Sequence, residues 1–157
     1  MEKVAIFADV QNIYYTVKQS YRKHFNYAHF WKQVTNKREV IAAFAYAIDR
    51  GDQKQREFQQ ILRNIGFEVK LKPYIQRSDG SAKGDWDVGI TLDVIEYAQQ
   101  ADVIVLLSGD GDFAILLDKI RHTQGTITEV YGVPGLTAPG LVNSANRYFA
   151  IEKEFLM

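Results

Sequence analysis

Several aspartates stand where a protein could use carboxylates to bind a divalent cation. Asp9 ends an apolar run near the start of the chain, and Asp110 and Asp112 lie in an SGDGD motif that directly follows another apolar run. Asp87 follows a glycine-rich stretch. Two carboxylates about 4 Å apart repel each other by roughly 4 kcal/mol at an effective dielectric constant near 20. If these groups meet in the fold, they must therefore take up protons or bind a cation.

The residue types favour a hard cation. Carboxylate oxygens are preferred ligands of Mg²⁺ and Mn²⁺, whereas Zn²⁺ sites use histidine or cysteine. The chain contains no cysteine, and its three histidines, His24, His29 and His122, lack the spacing of a metal-binding motif. We therefore predict Mg²⁺ or Mn²⁺ as the cofactor.

Each aspartate also has a simpler structural role open to it. Asp110 or Asp112 could cap the helix that begins near Phe113, and Asp85 could cap the helix before it. The two glycines of the SGDGD motif would permit positive φ angles in a tight turn, and Ser108 could supply a hydroxyl ligand. A metal site is favoured only by the conjunction of four residues, which are Asp9, Asp87, Asp110 and Asp112.

Alternating strand and helix patterns determine where these aspartates would lie. Short apolar runs predict strands, and the amphipathic segments between them predict helices. This alternation is typical of a single α/β domain, here residues 1–157, with a mostly parallel sheet. Ligands bind such sheets outside the carboxyl ends of the strands, which would bring the aspartates to one edge. The predicted strands are residues 4–9, 40–48, 68–76, 103–107, 127–133 and 148–151, and the predicted helices are residues 12–22, 27–34, 53–65, 86–99 and 113–122.

The net charge of zero conceals an uneven distribution. Nineteen basic residues balance nineteen acidic ones, yet residues 85–118 contain eight acidic residues and no lysine or arginine. The rest of the chain therefore holds nineteen basic residues against eleven acidic ones. An acidic metal site inside a basic chain suits a polyanionic partner such as RNA.

A basic stretch at residues 50–83 is the expected contact with RNA, although ordinary solvent-exposed helix and strand faces would show the same composition. Four aromatic side chains could stack on bases or could belong to the core: Trp31, Trp86, Tyr14 and Tyr15. The basic residues assigned to RNA are Arg50, Lys54, Lys70, Lys72 and Arg77.

Other classes of protein are disfavoured by the composition. No run of about 18 apolar residues is present, which argues against a membrane-spanning helix. The amino-terminal apolar run is interrupted too early for a signal peptide, and the absence of cysteine fits a cytoplasmic protein. Residues 149–157 are apolar and could pair with a second copy of the chain in a homodimer.

Three blocks of the sequence resemble the NYN domain family of PIN-like nucleases, and most closely its LabA-like members. They are IFADVQNI (6–13), KGDWDVGITLDVIEYA (83–98) and VIVLLSGDGDFAILL (103–117), of which SGDGDF after a strand and before a helix is the most specific. The resemblance implies a PIN-like three-layer α/β/α sandwich. It also implies that Asp9, Asp87, Asp110 and Asp112 form an acidic metal centre, with Asn12, Ser108, Asp93 and Lys83 as supporting residues.

The activity that the resemblance implies is metal-dependent hydrolysis of RNA phosphodiester bonds, with single-stranded or loop RNA as the substrate. Two other functions remain open. The domain could keep the acidic centre and act as a non-catalytic regulatory module that binds RNA or protein, or it could be a magnesium-dependent phosphatase. The sequence Asp9-Val10-Gln11 lacks the second aspartate of a DxD arrangement, which argues against the phosphatase.

Overall fold

A six-stranded parallel sheet forms the centre of the fold. The computed structural model describes residues 1–73, 75–76, 82–83 and 85–157. In chain order the strands of this part are β1 (Glu2–Asp9), β2 (Arg38–Asp49), β3 (Glu68–Pro73), β4 (Ile75–Gln76), β5 (Ala82–Lys83), β6 (Val103–Leu107), β7 (Ile127–Gly132) and β8 (Arg147–Ala150). The sheet has the spatial order β3-β2-β1-β6-β7-β8, while β4 and β5 form a separate antiparallel pair.

Helices cover both faces of the sheet and complete the predicted three-layer α/β/α sandwich. One face carries α1 (Val10–Tyr21), α2 (Tyr27–Thr35) and α3 (Gln53–Ile65), and the other carries α4 (Asp87–Ala98), α5 (Ala114–Gln124) and α6 (Pro139–Ser144). Short 3-10 helices lie at Gly111–Phe113 and Lys153–Phe155. Among the described residues, no helix combines the length and the apolar character that crossing a membrane requires.

The central strand β1 shows how the sequence builds both outer layers. Val4, Ile6 and Ala8 belong to the core beneath α1–α3, whereas Ala5 and Phe7 belong to the core beneath α4–α6. All five side chains are fully buried. A strand that is apolar on both faces is stable only where both faces are covered, which is the centre of such a sandwich.

The order of the strands creates a crevice at the carboxyl edge of the sheet. From β1 the chain adds β2 and then β3 on one side, whereas from β6 it adds β7 and then β8 on the other side. β1 and β6 are paired neighbours, so the winding reverses between them. Open α/β sheets bind ligands at such a switch point, because the connections from the two strands leave on opposite faces.

Most predicted elements are confirmed, with small shifts in their bounds. The helix predicted at residues 53–65 and the strand predicted at residues 103–107 have the predicted bounds. The first helix begins at Val10 rather than at the predicted Asn12, because the chain turns into the helix immediately after Asp9.

The strand predicted at residues 68–76 is wrong in its second half. β3 ends at Pro73 on the edge of the sheet, and β4 turns away to pair with β5. Proline has no backbone N–H for a strand ladder, so it suits the end of an edge strand. The segment at residues 134–146, in which the sequence predicts no strand or helix, contains α6.

The carboxyl-terminal residues pack against their own chain. Phe155 is 2% exposed, and its ring stacks on that of Phe25 with the centroids 6.1 Å apart. Leu156 forms an isolated β-bridge with Phe25. Residues 149–157 are therefore partly buried within one chain. This burial accounts for part of the apolar character that favoured a homodimer.

A buried ion-pair network lies at the amino edge of the sheet, opposite the crevice. The carboxylate of Glu129 accepts hydrogen bonds from Arg38 at 3.1 and 3.0 Å and from Arg147 at 2.7 Å. Arg38 also donates to Glu2 at 2.8 Å. Burial alone would raise the pKa of Glu129, but the hydrogen bonds from the two arginines outweigh it and hold that pKa below its usual value of 4.5.

Replacing Glu129 by glutamine should destabilise the fold at neutral pH by about 3 kcal/mol, because two arginines lose the buried carboxylate that they share. Since the pKa of Glu129 is lowered, its contribution is complete above pH 4.5 and is lost as the pH falls further. Urea unfolding at neutral and acidic pH should therefore show the two proteins converging in acid. Glu2→Gln is the matched control, since the Glu2 side chain is 44% exposed. An equal loss of stability in both variants would contradict the assignment.

Candidate metal centre

Three carboxylates from three separate elements converge at the crevice between β1 and β6. They belong to Asp9 at the end of β1, Asp87 at the start of α4 and Asp110 in the loop after β6. One carboxylate oxygen from each residue lies within 4.8 Å of one from each of the other two. Asp9 is 8% exposed, while Asp87 and Asp110 are partly open to solvent. Of the four aspartates predicted for the centre, the structure brings these three together.

Asp9 is oriented by the loop that follows β6. The Ser108 hydroxyl donates to Asp9 Oδ2 at 3.0 Å, and both residues are buried. The side chain of Asn12 accepts a hydrogen bond from the Gly109 backbone N–H at 2.8 Å. Together these two hydrogen bonds join the start of α1 to the loop after β6. They place Ser108 and Asn12 directly beside the carboxylates.

Asp110 combines a capping role with its position in the cluster. Its backbone N–H donates to the Ser108 hydroxyl at 3.2 Å, and its Oδ1 accepts from the Asp112 backbone N–H at 2.9 Å. Asp110 therefore caps the short helix at Gly111–Phe113, as the simpler reading of this residue predicts. Because this cap uses only one of the two carboxylate oxygens, it is compatible with metal binding.

The glycines of the SGDGD motif are required by close packing. Neither Gly109 nor Gly111 has a positive φ angle, so the backbone freedom expected for them is not the reason for their presence. A Cβ atom at Gly109 would lie 2.6 Å from the carbonyl oxygen of Leu136, and one at Gly111 would lie 2.8 Å from Cβ of Ala138. The loop after β7 therefore packs directly on the motif and fixes its path.

Asp87 is positioned by a clamp on the turn that precedes α4. The indole N–H of Trp86 donates to the carbonyl of Ala47 on β2 at 2.9 Å, and Lys72 Nζ on β3 donates to the carbonyl of Asp85 at 2.9 Å. Lys72 Nζ also lies 4.7 Å from the centroid of the Trp86 ring. Asp85 Oδ1 accepts from the Asp87 backbone N–H at 3.2 Å. The residues beside Asp87 are thus fastened to two strands.

Burial and mutual repulsion disfavour the charged forms of these carboxyl groups. Burial raises the pKa of Asp9 from 3.8 to about 6, and the charges of Asp110 and Asp85 add to this effect. Burial also raises the pKa of Asp87, with further contributions from Asp110, Asp85 and Asp9, to about 7. A positive charge among the carboxylates would reverse the balance and favour their ionised forms.

The donor set fits a hard divalent cation. The close group consists of carboxylate oxygens, which Mg²⁺, Mn²⁺ and Ca²⁺ prefer over nitrogen or sulfur ligands. Because the three carboxylates repel one another, a positive charge between them would lower the electrostatic energy of the group. The residues that would hold the ion are Asp9, Asp87 and Asp110.

Two aspartates singled out by the sequence lie apart from this group. Asp112 is exposed and is not one of the three residues in close contact. Asp93 Oδ2 accepts hydrogen bonds from the Tyr46 hydroxyl and from Lys70 Nζ, each at 2.7 Å. This pairing fastens α4 to β2 and β3. Lys70, which the sequence assigned to RNA, is therefore engaged in an internal ion pair.

The other basic residues assigned to RNA occupy different positions. Lys72 belongs to the clamp beside the centre. Arg50 and Lys54 are exposed, one directly after β2 and the other in the first turn of α3. Arg77 and the side chain of Lys83 lie outside the described residues.

Sequence reasoning missed the clamp and underrated Asp85. Of the two roles that the sequence predicts for Trp86, base stacking or the core, the structure shows packing against the core beneath α4–α6, and the indole N–H in addition bridges α4 and β2. Asp85, which the sequence predicts as a helix cap, also raises the pKa of both Asp9 and Asp87 through its charge. The available signal was the DWD tripeptide at residues 85–87, in which a tryptophan separates two acidic residues.

A parallel α/β/α sandwich with acidic residues clustered at its switch point is the architecture of the PIN-like nuclease fold. The sequence profile of the NYN domain matches residues 3–152, and the chain belongs to the NYN domain family. It is 31% identical to the low amplitude and bright protein LabA of Synechococcus elongatus, in an alignment that covers 93% of this chain and 82% of that protein. It is also similar to the crystal structure of a protein of unknown function from Vibrio parahaemolyticus, with a TM-score of 0.95, 54% identity and coverage of 99% and 96% of the two chains.

In the metal-free protein, Asp87→Asn should raise the melting temperature at alkaline pH and have little effect at acidic pH. The pKa of Asp87 is raised to about 7, so near neutral pH the folded protein holds a proton that the unfolded chain, with a value of 3.8, has released. The resulting loss of stability grows as the pH rises above 3.8 and is complete above about 7. Calorimetry of chelator-treated protein across this range measures the difference between the two proteins.

A divalent cation should raise the melting temperature of the unmodified protein at alkaline pH and leave Asp87→Asn almost unchanged, because ligand binding to the folded state stabilises it. Two results would contradict the role of Asp87 in the cluster. They are a pH-independent effect of the substitution and equal stabilisation of both proteins by the cation.

Trp86→Phe should weaken divalent-cation binding about ten-fold, because residues that orient metal ligands typically affect affinity by this factor. The substitution keeps an aromatic ring but removes the hydrogen bond to Ala47. Isothermal calorimetry with Mn²⁺ measures the affinity. Trp31→Phe is the matched control, since Trp31 packs on Phe67 and Gly66 before β3, at the other edge of the sheet. Equal affinities in the two variants would exclude a positioning role for Trp86.

Proposed function

We propose that this protein is a divalent-cation-dependent nuclease that hydrolyses RNA phosphodiester bonds at the cluster of Asp9, Asp87 and Asp110. The observation that carries the proposal is the convergence of three carboxylates at the switch point of a PIN-like sheet. Membership of the NYN family supports the same activity. Mg²⁺ and Mn²⁺ are the proposed cofactors because the donors are carboxylate oxygens.

Each residue of the centre has a distinct task in this proposal. A bound divalent cation supplies Lewis acidity towards the scissile phosphate and its attacking water. The three carboxylates hold that ion, while Ser108 fixes the orientation of Asp9 through the hydrogen bond to Oδ2. Asn12 fixes the backbone at Gly109, which keeps the loop that carries Asp110 in place. Asp112, which is exposed and outside the close group of three, stays a proposed additional ligand.

The charge around the centre supports a polyanionic substrate. Arg50 and Lys54 are exposed near the carboxyl end of β2, on the same edge of the sheet as the cluster. Cationic side chains of this kind contact phosphates without regard to sequence. A phosphate of a single strand or a loop can approach a partly buried cluster more closely than one in a duplex, so we propose unpaired RNA as the substrate.

RNA cleavage assays with added Mg²⁺ or Mn²⁺ test the activity. The protein should cleave a single-stranded RNA, and Asp110→Asn should reduce the rate by at least about a hundred-fold, because it removes one charged ligand while its amide oxygen can still cap Gly111–Phe113. The matched control is Glu96→Gln, which neutralises an exposed acid of α4 about 13 Å along the helix from Asp87. This control should cleave at the normal rate.

The same assays separate the alternatives. Cation binding without RNA cleavage would favour the non-catalytic regulatory module. Hydrolysis of a small phosphomonoester without cleavage of RNA would favour the phosphatase. Equal losses of activity in Asp110→Asn and Glu96→Gln would remove the cluster from the mechanism.

A further inference from the structure

The carboxyl edge of the sheet has two sides of opposite character, with the carboxylate cluster between them. The α1 rim is the group of exposed residues on α1 and directly after β2, namely Tyr14, Tyr15, Lys18 and Arg50. The α4 rim is the group of exposed residues around the starts of α4 and α5, namely Asp85, Val88, Asp112 and Ile115. The two rims belong to opposite faces of the sandwich.

The α1 rim presents two aromatic rings to solvent. Tyr14 is 44% exposed and Tyr15 is 50% exposed. Their rings meet edge to face with the centroids 5.5 Å apart. Lys18 Nζ lies 3.2 Å from the Tyr14 hydroxyl and 5.3 Å from the centroid of the Tyr14 ring. The Tyr14 ring also stacks on the His24 ring with the centroids 6.3 Å apart, yet both tyrosines keep exposed surface, so the pair offers stacking surfaces flanked by a positive charge.

This rim adjoins the cluster along both the chain and the sheet. α1 begins directly after Asp9, so Tyr14 and Tyr15 lie about 8 Å further along the helix axis. β2 pairs in parallel with β1, and Arg50 follows its last residue. A hydrogen bond between Arg50 and the Tyr15 hydroxyl lowers the pKa of Tyr15. The guanidinium group and the tyrosine ring therefore share one surface beside the metal centre.

The four residues that define the α4 rim have the opposite charge and include no aromatic side chain. Asp85 and Asp112 are exposed there, and residues 85–118 contain no lysine or arginine. Its large exposed side chains are aliphatic, with Val88 71% exposed and Ile115 78% exposed. A phosphate backbone that continued across these four residues would meet two carboxylates, while Lys72 beside them is hydrogen-bonded to the Asp85 carbonyl and lies over the Trp86 ring.

We propose that a nucleic-acid strand at the metal centre is gripped on one side only, with unpaired bases stacked on Tyr14 and Tyr15 and a neighbouring phosphate bound by Arg50 and Lys18. The identity of the polymer rests on the proposed function. The rim itself requires a single strand, because a base inside a duplex is already stacked and has no face left for a tyrosine. Nucleotides beyond the centre, over the α4 rim, contribute little to affinity.

Fluorescence anisotropy with a labelled oligouridylate of about 12 nucleotides tests the stacking. Ca²⁺ replaces Mg²⁺ in the assay, and gel electrophoresis confirms that the strand stays intact. Tyr14→Ala and Tyr15→Ala should each weaken binding about ten-fold, because stacking of one base on an aromatic side chain is worth that factor. A strand of the same length without bases should bind weakly to the unmodified protein and should be insensitive to both substitutions.

Arg50→Gln tests the phosphate contact. It should weaken binding of the uridylate and of the abasic strand by the same factor, and it should reduce the salt dependence of the affinity by about 0.7 in log–log slope, as expected for one phosphate contact to a single strand. Two exposed residues of the opposite face provide matched controls. Lys119→Gln removes one positive charge and Leu92→Ala removes one exposed apolar side chain, and each should change the affinity by less than about two-fold.

The outcomes separate this proposal from the proposed function. Unchanged affinity in both tyrosine variants, or equal losses for the uridylate and the abasic strand, would overturn the stacking. Equal losses in Arg50→Gln and Lys119→Gln would overturn the one-sided grip. Because the assay requires no cleavage, the rim can bind RNA as expected in a protein that proves not to be a nuclease. A protein that cleaves RNA and is indifferent to all the rim substitutions would overturn this proposal alone.

Discussion

Mutual repulsion among Asp9, Asp87 and Asp110 is the constraint on which the rest of the site depends. Carboxylates whose oxygens lie within 4.8 Å would separate if they were carried by flexible segments. Here they are carried by the end of β1, the start of α4 and a loop held by Ser108, and each support is joined to the buried sheet. The core therefore supplies the rigidity that keeps like charges together. Such rigid support would preorganise the three carboxylates for a cation.

The ion pairs at the amino edge of the sheet stabilise the fold, whereas the acidic groups at the carboxyl edge form the candidate site. At the amino edge, Glu129 is buried between Arg38 and Arg147, so its charge is compensated and its pKa is lowered. At the carboxyl edge, burial acts on acidic groups whose nearest charged neighbours include other acidic groups, and the pKa of Asp9 and of Asp87 is raised. The same desolvation thus leads to opposite results. Uncompensated acidic groups of this kind are typical of functional sites, where local instability is retained for chemistry.

Local signals account for what the sequence predicts well. Strand ends and turn residues are short-range features, so Asp9 and the SGDGD loop could be assigned to one edge of the sheet. The clamp could not be predicted, because the contact of Trp86 with Ala47 depends on how α4 lies across β2. The same holds for Lys70, whose charge suggests a solvent-exposed position until the register of β3 places it 2.7 Å from Asp93. The requirement for glycine at position 109 could not be predicted either, since the Leu136 carbonyl that excludes a side chain there comes from the loop after β7.

The sandwich architecture also explains why the neutral total charge conceals the polarity of the molecule. The acid-rich residues 85–118 form α4, β6 and the first five residues of α5, so their exposed charges lie on one outer layer and at the crevice. The layer formed by α1, α2 and α3 comes from the basic part of the chain. The sheet keeps the two layers apart, and exposed charges farther apart than the Debye length of about 10 Å at 0.1 M salt are largely screened from each other. A polyanion that reaches the crevice therefore responds to the exposed charges nearest to it and not to the net charge of the chain, and on the α1 side these include Lys18 and Arg50.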